Sequence, residues 1–205
     1  IEDIKTYLTD IQFIKKFLFI SSNTAYPDMG SDFCTEDINV HATPTFPIYG
    51  AVGNMKRYGE LLCSFFSNQI HNPMQCLIVR PSNAFGPNDK FDYEKCHVTP
   101  ANIRKVADRL NPIPIWGDGS DVRDLLHVED MADGFIFVAE NCDTYDIFNV
   151  CYGEGFSVNE INTMKTNNQL DMILDKLPEP KYDSNGKLIE EPDNKNNKKI
   201  YIRYY

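Results

Sequence analysis

The side chains best placed for chemistry fall in the stretch Pro47 to Phe66, PIYGAVGNMKRYGELLCSFF, where Tyr49, Lys56, Arg57 and Glu60 gather on the polar side of a predicted helix. An ammonium near a phenol favours the ionised phenol, so a tyrosine and a lysine held together can pass a proton near neutral pH. Taken alone, this pair is better read as a packed aromatic and a solvated lysine. Two further polar clusters close apolar runs: Ser21-Ser22 after FLFI, and Arg80-Pro81-Ser82-Asn83 after Met74 to Val79. Carboxyl ends of parallel strands are where α/β sheets bind ligands. Metal chemistry is not expected, because His41, His71, His97 and His127 lack HExxH or paired spacing. Six cysteines without CxxC or CxxxC spacing read as reduced, packed thiols in a cytoplasmic setting, with disulfides as the alternative.

The elements that must carry these residues alternate. Ile1 to about Asp10 reads as the end of a helix, and the run from Lys16 to Ile20, apolar on both faces, suits a central parallel strand. A long polar connection, Asn23 to Phe46, precedes the helix. In that helix Met55, Tyr58, Leu61, Leu62, Phe65 and Phe66 recur at three- and four-residue spacing, which predicts an apolar face packed on a sheet. A second strand over Met74 to Val79 completes a strand–helix–strand unit of α/β type. Downstream, the pattern predicts a helix at Thr99 to Leu110, strands at Ile113 to Trp116 and Leu125 to Val128, a helix at Glu129 to Ala139 and a strand at Ile147 to Val150. Ser157 to Glu160 forms a capping box before another helix. Residues 178–199 are polar enough to be a loose tail, and the terminal IYIRYY could be an edge strand.

With 205 residues the chain can bury a real core. A net charge of -10 disfavours a nucleic-acid or anionic-membrane surface, and no apolar run is long enough to span a bilayer.

In order and spacing, FLFISSNTAYPD, KRYGELL after a tyrosine, RPSNAFGPND and IWGDGSDVRDLLHVEDMADGF resemble the extended short-chain dehydrogenase/reductase family, over roughly residues 1–160. Within it they resemble NAD-dependent epimerase/dehydratase enzymes of nucleotide-sugar metabolism, and NDKFDYEKCHVTPANIRK is most similar to GDP-L-fucose synthases. The resemblance implies an α/β fold: a partial Rossmann-like, doubly wound parallel sheet lacking its N-terminal strands, with a smaller C-terminal substrate-binding α/β region. Residues 1–83 would be the end of the dinucleotide domain, 84–177 the nucleotide-sugar region, with Leu125 to Val128 as a candidate to return to the sheet, and 178–205 the tail. The implied cofactor is NAD or NADP, and the implied partner a nucleoside-diphosphate sugar. A homodimer, or a chain supplying the missing half, is a further implied partner.

By the same resemblance, Lys56 holds the nicotinamide ribose and Ser22 hydrogen-bonds the reacting sugar oxygen, whereas a strand-end hydroxyl capping its own backbone is the plain alternative. Pro81 and Ser82 line the cofactor; Thr24 and Asn83 touch the substrate. Arg123 grips the diphosphate, unless it serves a surface salt bridge with Asp118 or Asp121. Trp116 is either base-stacking or core, and His97 matches an acid of epimerisation. Thr24 stands where that reaction's cysteine is expected, which disfavours 3,5-epimerisation more than carbonyl reduction. The family's tyrosine belongs four residues before the lysine, at Val52; Tyr49 is the acid/base candidate instead, with Tyr26 in reserve. No glycine-rich turn is present, since Gly117-Asp118-Gly119 and Gly153-Glu154-Gly155 lack a third glycine. Two functions compete: an oxidoreductase or isomerase acting on a sugar nucleotide, such as a GDP-4-keto-6-deoxy sugar, and a remnant that binds a sugar nucleotide or a partner without turnover. A truncated product exposing a strand edge is a third.

Overall fold

The computed structural model describes residues 14–30, 33–92, 96–108, 110 and 112–164, and the pairs 181–182 and 188–189. The helix expected at the N-terminus and the strand expected at the C-terminus lie outside the described residues. Two compact units divide the chain: one holds the described residues up to Ser82 together with Met131–Cys151, the other Asn83–Asp130 and the described residues from Tyr152 onward.

The first unit is built on a parallel sheet of β1 (Lys16–Ile20), β2 (Gln75–Pro81) and β5 (Asp146–Val150), in the order β1-β2-β5. Register runs from Lys16↔Gln75 to Ile20↔Val79 on one side of β2 and from Leu77↔Asp146 to Pro81↔Val150 on the other. Central β2 reads as a parallel strand covered on both faces, and Cys76, Leu77, Ile78 and Val79 are fully buried. Helix α1 (Gly50–Asn68) joins β1 to β2 in sequence, and Cys63 packs with Cys76 and Ile78. A Cβ on Gly59 would stand 2.2 Å from Phe19 Cζ, and one on Gly53 2.3 Å from the Thr24 carbonyl oxygen, so only glycine allows this close approach. Helix α3 (Val128–Asn141) is tied to β1 by Lys16, whose Nζ donates to the Ala139 carbonyl at 2.7 Å and meets Asp143 at 3.0 Å.

One expectation about α1 is reversed. Gly53, Arg57, Glu60 and Cys63 form its buried face, while Met55, Tyr58, Leu61, Leu62, Phe65 and Phe66 are exposed, Met55 to 71%. The periodicity locates the stripe correctly, but the opposite face, made of small residues and of charges that bond to groups outside the helix, fits closer against its neighbours.

In the second unit β3 (Asn83–Phe85) runs parallel to β4 (Val122–His127), which is antiparallel to β6 (Gly155–Ser157). Leu125 to His127 therefore pair with β3 and do not return to the first unit's sheet; β5 does so instead. Phe85, Leu125 and Ile161 form the core, with Phe156 against it. Helix α2 (Val98–Ala107) follows β3, and α4 (Val158–Met164) follows β6. The capping box forms as expected: Glu160 N donates to Ser157 Oγ at 3.1 Å and Ser157 N to Glu160 Oε2 at 2.8 Å. No strand forms at Ile113 to Trp116, where Pro112 and Pro114 remove two ladder donors. Within the expected tail, β7 (Lys181–Tyr182) and β8 (Leu188–Ile189) make a short antiparallel pair.

Candidate functional site

In the first unit the chain leaves β1 at Ile20 and at once makes a 3-10 turn, Asn23–Ala25. Ser22 caps it: Ser22 Oγ accepts from Thr24 N at 3.1 Å and donates to Asn23 Oδ1 at 3.2 Å. This is the local capping role weighed above, and a hydroxyl oxygen can accept a second bond besides. Lys56 reaches the same strand end, its Nζ donating to the Ile20 carbonyl at 2.8 Å and lying 5.7 Å from the Phe19 ring centre. An ammonium has three donors, so this contact fixes the lysine without using it up.

Tyr49 is not carried by the helical face of Lys56. It ends a separate 3-10 turn, Pro47–Tyr49, as the residue before α1, and its ring packs on Phe46 at 5.9 Å. Val52, one helical turn before Lys56, is half exposed. Tyr26 is buried; its hydroxyl donates to Asn149 Oδ1 at 2.7 Å and its ring lies 4.7 Å from the Arg80 guanidinium carbon. Burial holds the Tyr26 hydroxyl above the usual phenol value, only partly offset by the Arg80 cation and the hydrogen bonds, which suits a protonated structural tyrosine rather than a base. Pro81 closes β2, and Ser82 N donates to the Val150 carbonyl at 3.0 Å.

A group whose members the sequence named without a role surrounds this turn. Arg80 binds Glu60 through two nitrogens, at 3.0 and 2.7 Å, and Ser21 Oγ donates to the same carboxylate. Arg57 Nε donates to the Ala25 carbonyl at 2.7 Å, and its Nη1 to that of Thr43. The available signal was the Arg80 and Glu60 pair of opposite charges on neighbouring β2 and α1. Thr24 Oγ1, Arg57 Nη2 and Arg80 Nη1 are buried and meet no partner among the described residues, and such orphaned atoms mark where a water or ligand atom belongs.

In the second unit, Asn83 Nδ2 donates to the Asp124 carbonyl at 3.2 Å. Next to Asp124, Arg123 Nη2 meets Asp121 Oδ2 at 3.2 Å and Nη1 its own neighbour's carbonyl, that of Val122, at 2.8 Å. That is the surface pairing considered above, with the Arg123 side chain 30% exposed. Trp116 is 92% exposed, which removes the core reading. His97 is exposed just before α2, its carbonyl accepting from Ala101 N.

Neither glycine pair offers a pyrophosphate cradle. The space beside Gly119 is filled by the Asn159 side chain, 2.2 Å from where a Cβ would lie, and Gly153 N is taken by Asp124 Oδ2 at 2.6 Å. Among the described residues Lys56 has donors that suit a ribose hydroxyl, and neither glycine pair suits the dinucleotide phosphates. Among the described residues no group of three or more His, Cys, Asp or Glu could hold a metal ion. No helix among them is long and apolar enough to cross a membrane.

Comparison with known proteins places this geometry. Residues 7–151 match the model of the NAD dependent epimerase/dehydratase family. A probable GDP-L-fucose synthase 1 of Oryza sativa subsp. japonica is 29% identical over 152 residues, covering 72% of this chain and 45% of the relative. GDP-L-fucose synthase of Escherichia coli (strain K12) is 32% identical over 133 residues, 62% of this chain and 40% of the relative. The chain thus spans less than half the length of these two relatives. A crystal structure of a GDP-L-fucose synthetase from Naegleria fowleri bound to NADP shares the fold, with TM-score 0.66 at 22% identity over 81% of this chain and 53% of that one. A UDP-N-acetylglucosamine 4-epimerase from Methanobrevibacter ruminantium M1 in complex with UDP-N-acetylmuramic acid gives 0.63 at 25%, over 75% and 46%. Matched over residues 7–151, most of its length, and sharing its parallel-strand fold with these structures, this chain belongs to the NAD dependent epimerase/dehydratase family.

Proposed function

We propose that this chain carries the proton-handling and sugar-nucleotide-binding part of an NAD(P)-dependent nucleotide-sugar epimerase, dehydratase or reductase, with a GDP-4-keto-6-deoxy sugar as its substrate. The observation that carries the reading is Lys56 anchored to the Ile20 carbonyl, two residues before Ser22, at the carboxyl end of a parallel strand. Ser22 Oγ, fixed by its turn, accepts or donates at the reacting sugar oxygen. Lys56 offers its remaining donors to a ribose and favours ionisation of an approaching phenol. Tyr49 is the candidate for that phenol. Pro81 and Ser82 line the ribose side. Asn83 and Thr24 contact the sugar, His97 serves as acid toward the pyranose, Trp116 offers an exposed ring to the base, and Arg123 exchanges Asp121 for the diphosphate. The dinucleotide phosphates are held by polypeptide other than these residues, either a second chain or a further part of the same one.

Binding of nucleotide sugars, measured by calorimetry with GDP-mannose, UDP-glucose and dTDP-glucose, tests this. Wild-type protein should bind at least one, GDP-mannose best. No binding of any of them overturns the reading. NADH and NADPH should not bind this chain with low-micromolar affinity, because its glycines provide no cradle; fluorescence titration reads this directly.

A second reading has one observation in its favour. Val52 stands where a proton-transferring tyrosine would share a face with Lys56, and Tyr49 is turned onto Phe46. A chain so arranged binds a sugar nucleotide without converting it. Sugar-nucleotide binding that persists without turnover when polypeptide carrying a dinucleotide-phosphate site is supplied would favour that reading.

A further inference from the structure

Three charged side chains of α1 reach one short piece of chain. Lys56 holds the Ile20 carbonyl, Glu60 receives Ser21 Oγ, and Arg57 holds the Ala25 carbonyl. Arg80 completes the ring from β2: it clasps Glu60 and lies over Tyr26, which is pinned in turn by Asn149. Ile20 to Tyr26 is therefore gripped at both ends, while Ser22, Asn23 and Thr24 between the grips are only half-buried.

Stability alone does not account for this arrangement. Arg57, Glu60 and Arg80 are all buried, two cations against one anion, and apolar residues of similar size commonly stabilise an interior at least as well. Yet α1 turns Arg57 and Glu60 inward and leaves six large apolar side chains outside. What charged forks do better than apolar groups is fix direction, because each guanidinium bond is geometrically defined. We infer that Arg57, Glu60 and Arg80 are positioning residues, which set the orientation of Ser22 Oγ by holding both ends of the turn that presents it. This rests on the proposed function, in which that hydroxyl faces the sugar.

The test uses the full chain with Arg57→Lys and, separately, Glu60→Gln. Lysine keeps the charge of Arg57 but cannot hold the Ala25 and Thr43 carbonyls together, and glutamine keeps the shape and an acceptor for Ser21. Amide hydrogen exchange is read at Thr24, Ala25 and Tyr26, whose N–H groups close the turn, and at Leu77 to Val79 of β2. Arg57→Lys should speed exchange at the turn at least tenfold with β2 unchanged. Glu60→Gln should do the same wherever it still folds. Unchanged exchange at the turn, or equal acceleration in β2, overturns the inference. A second arm measures GDP-mannose affinity in a cycle of Ser22→Ala and Arg57→Lys. Each change should weaken binding, and the double variant should be no weaker than the worse single one. Independent, multiplying losses would show that Arg57 does not act through the turn. If wild-type protein binds no nucleotide sugar, the proposed function fails, while the exchange measurement still decides whether these residues hold the turn.

Discussion

Two arginine–carboxylate pairs in this chain share a chemistry and differ in surroundings. Arg80 and Glu60 meet in the first unit with side chains 1% and 3% exposed; Arg123 and Asp121 meet in the second with 30% and 73% exposed. Burial makes the first pair indispensable once formed, since removing either partner strands a charge in a dry interior. Exposure makes the second pair weak, because water and salt compete for both partners. A guanidinium that is to be handed to a ligand must be of the second kind, and one that is to hold a backbone still must be of the first.

The sharpest way to break this contrast is Glu60→Ala. It should destabilise the protein by about 3–5 kcal/mol in urea or thermal unfolding, with most of the loss recovered when Arg80 is also replaced by a fitting apolar residue. A loss below about 1 kcal/mol would mean that water reaches Arg80. Next, Arg123→Ala should weaken nucleotide-sugar binding by roughly tenfold or more while moving stability by less than about 0.5 kcal/mol; calorimetry and unfolding on the same samples separate the two. Equal affinity of wild type and variant across the panel would remove Arg123 from the site.

Cys63, one turn beyond Glu60 on the same buried face, reports how dry that interior is. Burial first, then the neighbouring Cys76 and Glu60, push its thiol from 9.0 up to about 12. A raised value means that the neutral thiol is favoured in the fold. Its contribution to stability is thus fully present below the free-thiol range and is lost as pH rises toward 12. Folded protein at pH 8 should leave Cys63 unmodified by a thiol reagent that labels it in urea, as peptide mass spectrometry would show. The smallest effect is expected of Asp121→Ala, under about 0.5 kcal/mol on stability, with sugar-nucleotide affinity unchanged or slightly higher as Arg123 loses its competitor. A marked loss of stability there would mean that the surface pair is structural after all.

Much of the architecture is legible in the residues. The run through Val79 is apolar on both faces because β2 lies covered within a parallel sheet, and the Ser157 to Glu160 box caps a helix as its spacing demands; FLFI, expected to be central, forms a strand at the end of the described sheet, with Phe17 and Ile20 exposed. The orientation of α1 was not legible from apolar periodicity, because that reasoning assumes that charges face water. Glu60 instead pairs with Arg80 and Ser21 and Arg57 with two backbone carbonyls, while Gly59 lets the helix meet Phe19, Gly53 the Thr24 carbonyl, and Cys63 packs on Cys76 and Ile78. Small residues at helical spacing were the missed signal. At the site, Ser22 and Lys56 could be matched through motifs, whereas the separation of Tyr49 from the face of Lys56 depends on where the helix begins. Gly50 opens α1 and leaves Tyr49 in the preceding turn. The supporting network eluded sequence reasoning because its members come from distant positions, Ser21, Glu60, Arg80 and Asn149.

Among the described residues β1 pairs with β2 alone, with Phe17 and Ile20 partly open to solvent. A short, apolar, proline-free strand is a segment on which unfolded neighbours can assemble. Lys15 and Lys16 stand at its entrance as gatekeepers, their charges repelling a second copy of the same segment. Once the chain has folded, Lys16 is drawn onto the Ala139 carbonyl and Asp143. The same ammonium therefore works twice, guarding the strand against its own kind during folding and tethering the end of α3 to it afterwards.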